Sequence, residues 1–73
     1  MNSVNFLKEY YDGKKSITFP KKELHAFLIK DKKKSLSSMR NYVYVWKTLG
    51  ILEERGDDYK INLSKMVEAL EWE

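Results

Sequence analysis

Apolar residues recur along this chain at two spacings, and the changes between them mark out its elements. From Ser3, a candidate N-cap, Phe6, Leu7, Tyr10 and Tyr11 fall on one side of a helix that Asp12-Gly13 is expected to stop. Ser16 to Phe19 reads SITF, β-branched and alternating, and predicts a short strand. Pro20 then takes the first-turn position that a helix tolerates, and a second helix is expected to run to about Lys30. Its apolar side is Leu24, Phe27 and Leu28, with Ala26 and Ile29 round the back, the pattern of a helix packed between two neighbours and the most buried of the set. The run Lys30-Asp31-Lys32-Lys33-Lys34 interrupts the pattern, after which Ser35 or Ser37 can cap a third helix. Helical spacing puts Leu36, Met39, Tyr42, Val43, Trp46 and Leu49 on its inner side and Ser37, Arg40, Asn41, Tyr44, Lys47 and Thr48 on its outer side. Gly50 supplies a left-handed closing residue. Ile51-Leu52 starts an extended segment, Arg55-Gly56-Asp57-Asp58 signals a turn, and Tyr59, Ile61 and Leu63 alternate with Lys60 and Asn62, which predicts a β-hairpin. Ser64 is the expected cap of a last helix in which Met66, Val67 and Leu70 share a face, with Ala69 and Trp72 off it.

The predicted order is helix, short strand, helix, turn, helix, hairpin, helix: an α+β, mainly helical fold in a single domain spanning residues 1–73. A chain of this size buries only about 60% of its unfolded surface, so its core must be efficient. Ten aromatic residues supply the means, because each can bury about 150 to 250 Å². The absence of cysteine excludes disulfides, thiolate metal sites and thiol catalysis. No basic leader precedes an apolar run, and no segment approaches the roughly 20 apolar residues that a membrane span needs. The expectation is a soluble cytoplasmic protein with no membrane partner.

Charge changes the picture more than composition does. The net charge is +3, but Lys14 to Lys47 holds ten basic residues against Glu23 and Asp31, and Thr48 to Glu73 holds three against seven acids. Such segregation creates a directional field that steers an anionic partner. No acid occurs between Asp31 and Glu53, so the outer side of the third helix offers only cations and hydrogen-bonding groups around Tyr44. A helix that is merely solvated usually alternates charge sign at i, i+4. This one suits a polyanion.

With Ser37 or Ser38 opening the third helix, Met39 following, and Trp46 four positions before Gly50-Ile51-Leu52, the chain resembles the winged helix-turn-helix family of DNA-binding domains over residues 3–63. The resemblance implies double-stranded DNA as partner, a small transcriptional regulator as function, and the third helix (35–49) in the major groove. It makes Ser37, Arg40, Asn41 and Tyr44 candidates for base contact, since arginine bonds a guanine edge in two places and asparagine an adenine edge. Lys32, Lys33, Lys34 and Lys47, with Lys21 and Lys22 at the start of helix two, become candidate phosphate contacts. One departure from the family is the wing, where Glu53, Glu54, Asp57 and Asp58 surround a single Arg55 and would be repelled by phosphates. The basic surface is therefore expected on helices two and three and the turn between them.

Blander readings stand beside these. Lysine runs are commonly solvated surface, and Tyr44 can simply cover a neighbouring loop. His25 lacks the nucleophile, orienting carboxylate or further ligands that catalysis or a metal would need, and reads as a helix-surface histidine. Three scattered glycines make no phosphate-cradling loop. No enzymatic activity and no cofactor are expected. Trp72 is either core or the contact of a homodimer through the C-terminal helix, which would present two third helices to a palindromic site. The rival functions are a protein-protein interaction module on the same scaffold, suggested by the acidic wing, and a single-strand binder stacking bases on Tyr42, Tyr44 and Trp46.

Overall fold

The computed structural model describes residues 3–71. Helix α1 (Val4–Lys14) is followed by β1 (Thr18–Pro20), α2 (Lys21–Ala26), a π-helical turn (Phe27–Asp31), α3 (Leu36–Thr48), β2 (Leu52–Arg55), β3 (Asp58–Ile61) and α4 (Leu63–Leu70). Among the described residues the fold is thus α+β and mainly helical, four helices with one antiparallel sheet in the order β1-β3-β2. None of these helices is long and apolar enough to cross a membrane.

Local chemistry accounts for most boundaries. Ser35 caps α3, its side chain accepting the Ser38 N–H at 3.1 Å, and Gly50 closes it at φ 78°. A two-residue turn at Gly56-Asp57, with Gly56 at φ 62°, joins β2 to β3. Proline ends β1, an edge strand, where its missing N–H leaves no ladder bond unmade. The register pairs Phe19 with Tyr59 and Leu52 with Ile61, so all four side chains enter the core.

Several expectations need correcting. α1 does not stop at Asp12-Gly13: it runs through Gly13, and Lys15 (φ 59°) takes the left-handed position while its N–H bonds the Tyr11 carbonyl at 2.7 Å. Ser3 has helical dihedrals and makes no side-chain cap. α4 is capped by Asn62, whose side chain accepts the Lys65 N–H at 3.1 Å, and not by Ser64. Asn62 is held there because its own N–H bonds the Ile51 carbonyl at the end of the hairpin, so Leu63 opens the helix instead of ending the strand. The resulting rotation buries Met66 and Ala69 and leaves Val67 exposed, reversing the sequence assignment of those last two. Helix α2 is not sandwiched either: Leu24 and Leu28 are fully buried, but Ile29 is exposed. Its continuation is the π-helical turn, ended by Lys33 at φ 54° with the Lys34 N–H bonded back to the Leu28 carbonyl.

The core gathers around Trp46, which is fully buried together with Val4, Leu7, Leu24, Leu28, Ile51 and Ile61. Edge-to-face aromatic pairs run across the elements, from Phe27 to Tyr10 (5.2 Å), Tyr10 to Phe19 (4.8 Å) and Phe19 to Tyr59 (6.3 Å). The inner stripe of α3 is narrower than its periodicity suggests. Leu36 and Leu49, at the two ends of the helix, lie beyond the elements that cover its middle and are exposed. Trp72, and with it the dimer contact, lies outside the described residues.

Candidate nucleic-acid interface

Every outer-side residue of α3 is exposed: Ser37, Arg40, Asn41, Tyr44, Lys47 and Thr48. The burial of Met39, Val43 and Trp46 fixes this orientation, because residues on the opposite arc of the same helix must face away. Tyr44 keeps 66% of its surface open and therefore covers no loop. The side chains of Arg40, Asn41 and Tyr44 make no ion pair or hydrogen bond among the described residues, so their donors and acceptors are available to a partner. Arg40, Tyr44 and Lys47 come together with Leu36, Met39 and Val43 along a groove whose far wall is His25 and Tyr59.

His25 is not a free surface residue. Its Nε2 shares a hydrogen bond of 2.8 Å with the Tyr59 hydroxyl, and the rings meet edge to face. Burial, and secondarily the Lys21 ammonium nearby, hold its pKa below the ordinary histidine value.

The candidate phosphate contacts fall into two groups with different surroundings. Lys21, at the start of α2, and Lys47, in the last turn of α3, both reach Glu54 of β2, with Nζ 2.5 Å from Oε2 and Oε1 respectively. Hydrogen bonds from the two ammoniums, with their charges, pull the Glu54 carboxyl down to about 2, and the same contact raises Lys21. The Lys21 backbone N–H is also taken, donating to the Asp57 carbonyl at 2.9 Å, and Pro20 pairs with Asp58. The hairpin turn is thus fastened beside the start of α2 and ends level with β1.

The other group is the inter-helix turn. Lys32 pairs with Glu9 and lies over the rings of Phe6 and Phe27, at 5.8 and 5.7 Å from their centroids. Lys34 lies over Phe6 at 5.1 Å and Tyr42 at 5.9 Å, and those two rings meet edge to face at 5.5 Å. Lys33 points outward from its left-handed backbone and, like Lys22, forms no ion pair among the described residues. Sequence reasoning missed both sets of partners. The Phe6 and Tyr42 platform had a signal, two aromatics at the edges of their helical stripes, whereas the Glu54 contacts join residues 33 and 7 positions apart with nothing local to announce them.

A second groove, between α1 and α2, is lined by Glu9, Tyr10, Lys14, Glu23, Lys30 and Asp31. The Tyr10 hydroxyl donates to Glu23 at 3.1 Å, and Lys14 lies 3.6 Å from the same carboxylate. Burial, reinforced by Glu23, pushes the Tyr10 hydroxyl upward in pKa and keeps it protonated. Its mixed charge sign gives no preference for a polyanion.

No protein-family model, curated protein or solved structure matches the chain.

Proposed function

We propose that this chain is a winged helix-turn-helix domain that binds double-stranded DNA, inserts α3 in the major groove and serves as a small transcriptional regulator. The observation that carries this reading is the outer side of α3: exposed, free of acids, and holding Arg40, Asn41 and Tyr44 with no internal partners. The succession of helix, strand, two helices and hairpin, with β1 added to the hairpin's edge, is compatible with the scaffold.

On this reading the field of the Lys14 to Lys47 region draws the duplex in, and phosphate contacts from Lys22, Lys32, Lys33 and Lys34 set register. Arg40 and Asn41 then read base edges from the groove, with Tyr44 beside them. The hairpin stays outside, because its turn is tied to α2 and its acids repel phosphates. The rival, a protein-docking module using an acidic wing, loses support from the same contacts. Glu54 is occupied by Lys21 and Lys47, and Glu53 by Arg55 at 3.4 Å.

Binding to mixed-sequence duplex, followed by fluorescence anisotropy as salt is raised, tests the proposal. Affinity should fall linearly on a log-log plot, with a slope of about 0.9 per phosphate contacted. A flat salt dependence, or no binding at low salt, contradicts it.

A further inference from the structure

Glu54 bridges two ammoniums that belong to different helices, Lys21 of α2 and Lys47 of α3, each touching a different oxygen at 2.5 Å. We propose that this carboxylate is an internal stand-in for a DNA phosphate: it occupies the Lys21 and Lys47 pair in the free protein and cedes it to the backbone of a bound duplex. Glu54 thereby sets how strongly the domain holds DNA of any sequence. The inference rests on the duplex-binding reading above.

Three observations lead here. The first is direction: side chains alternate along a strand, so Glu53 turns to Arg55 on one side of β2 while Glu54 turns to the helices on the other. Of the hairpin's acids, Glu54 is the one paired with candidate phosphate contacts. The second is chemistry. A phosphodiester, like a carboxylate, offers two anionic oxygens on one centre, so it can take both ammoniums in the same bridged arrangement. The third is access: Lys47 and Glu54 expose 38% and 43% of their side chains, and Lys47 lines the groove that also holds Arg40 and Tyr44. Ion pairs open to water to that degree are weak and exchange readily for an incoming anion.

The consequence is a brake on electrostatic binding. With Glu54 in place the cluster carries one net positive charge; without it, two. Contacts that grip without reading are damped, while Arg40 and Asn41, which have no internal anion, are untouched. Sequence-dependent contacts then form a larger share of the total.

Mixed-sequence duplex binding of the parent, Glu54→Gln, Lys47→Ala and the Lys47→Ala/Glu54→Gln double variant, each over a salt series, tests the proposal. Glu54→Gln should bind about fivefold tighter at low salt, with a slope steeper by about one phosphate, near 0.9. Lys47→Ala should bind more weakly, and the double variant, with the parent's net cluster charge, should return close to parental affinity. Thermal unfolding checks that each variant is folded; Glu54→Thr, uncharged and strand-compatible, repeats the test if glutamine is not tolerated. Equal or weaker binding by a folded Glu54→Gln or Glu54→Thr overturns the proposal and leaves Glu54 as a tie between hairpin and helices. A parent that does not bind duplex at low salt overturns the proposal together with the reading beneath it, so the two failures are distinct.

Discussion

Lys47 and Lys34, on opposite flanks of α3, are held by different chemistry. On the hairpin side Lys21 and Lys47 share the Glu54 carboxylate, which cancels part of their charge. On the α1 side Lys34 rests on the faces of Phe6 and Tyr42, while Lys32 lies over Phe6 and Phe27 and also pairs with the Glu9 carboxylate. A ring face attracts a cation through its quadrupole and leaves the net charge intact, so Lys34 stays a full positive charge fixed in place. Counting basic residues along a chain therefore overstates the hairpin flank and Lys32, each offset by a carboxylate, and describes Lys34 well. A carboxylate partner makes a lysine exchangeable, and an aromatic partner makes it preorganised.

Both flanks hang on the same core, so the substitution with the largest effect should abolish the comparison itself. Trp46→Ala removes the central side chain and the stack with Tyr42 at 6.1 Å, and should cost about 3 to 5 kcal/mol in denaturant unfolding. Trp46→Phe should cost much less. It also removes a buried indole N–H that finds no acceptor among the described residues.

Arg40→Ala acts between the flanks. It should leave stability within about 0.5 kcal/mol of the parent and remove about 1 to 3 kcal/mol of discrimination at one base pair, seen as a flattened preference in sites enriched from a random duplex pool. Should Arg40→Ala change only stability, α3 does not face the groove. Replacing Lys33 and Lys34 with alanine should weaken binding to all sequences about tenfold and reduce the salt slope by about two contacts. The matched change on the other flank, Lys47→Ala with Glu54→Gln, should leave binding close to the parent's, because it keeps the cluster at one net positive charge. Equal losses from the two double variants would erase the distinction drawn between the flanks.

The smallest effect concerns His25 in the wall of the groove. Its pKa is held below 6.5 in the folded protein, so the unfolded chain takes up a proton first as pH falls. Stability should be fully present above that value and decline as pH drops toward the folded-state pKa, a slope that thermal unfolding of His25→Gln should lack. Glu54 works in a lower window. Its contribution is present above the ordinary carboxylate value of 4.5 and is lost as pH falls toward about 2.

What was legible in the sequence was local. The third helix, its serine cap, Gly50 and the hairpin turn are set by residues within a few positions of one another, and their expected places agree with the fold. The boundaries that differ depend on distant partners. Asn62 outcompetes Ser64 as a cap because a bond to Ile51 positions it, and Val67 yields its buried place to Ala69 because that cap sets the rotation of α4. The outer side of α3 was readable from periodicity alone, down to the exposure of Arg40, Asn41 and Tyr44. The pairing of Lys21 with Glu54 was not, since neither hydropathy nor charge spacing reports a contact across the sheet.

An amide chemical-shift titration of the intact chain with a short mixed-sequence duplex tests the central claim, that the outer side of α3 and the turn before it meet DNA. The expected result is salt-sensitive shifts concentrated at Lys33, Lys34, Ser37, Arg40, Asn41 and Tyr44, with smaller changes at Lys47 and Glu54. Shifts confined to the hairpin turn and α4, or no shifts at low salt, would contradict it.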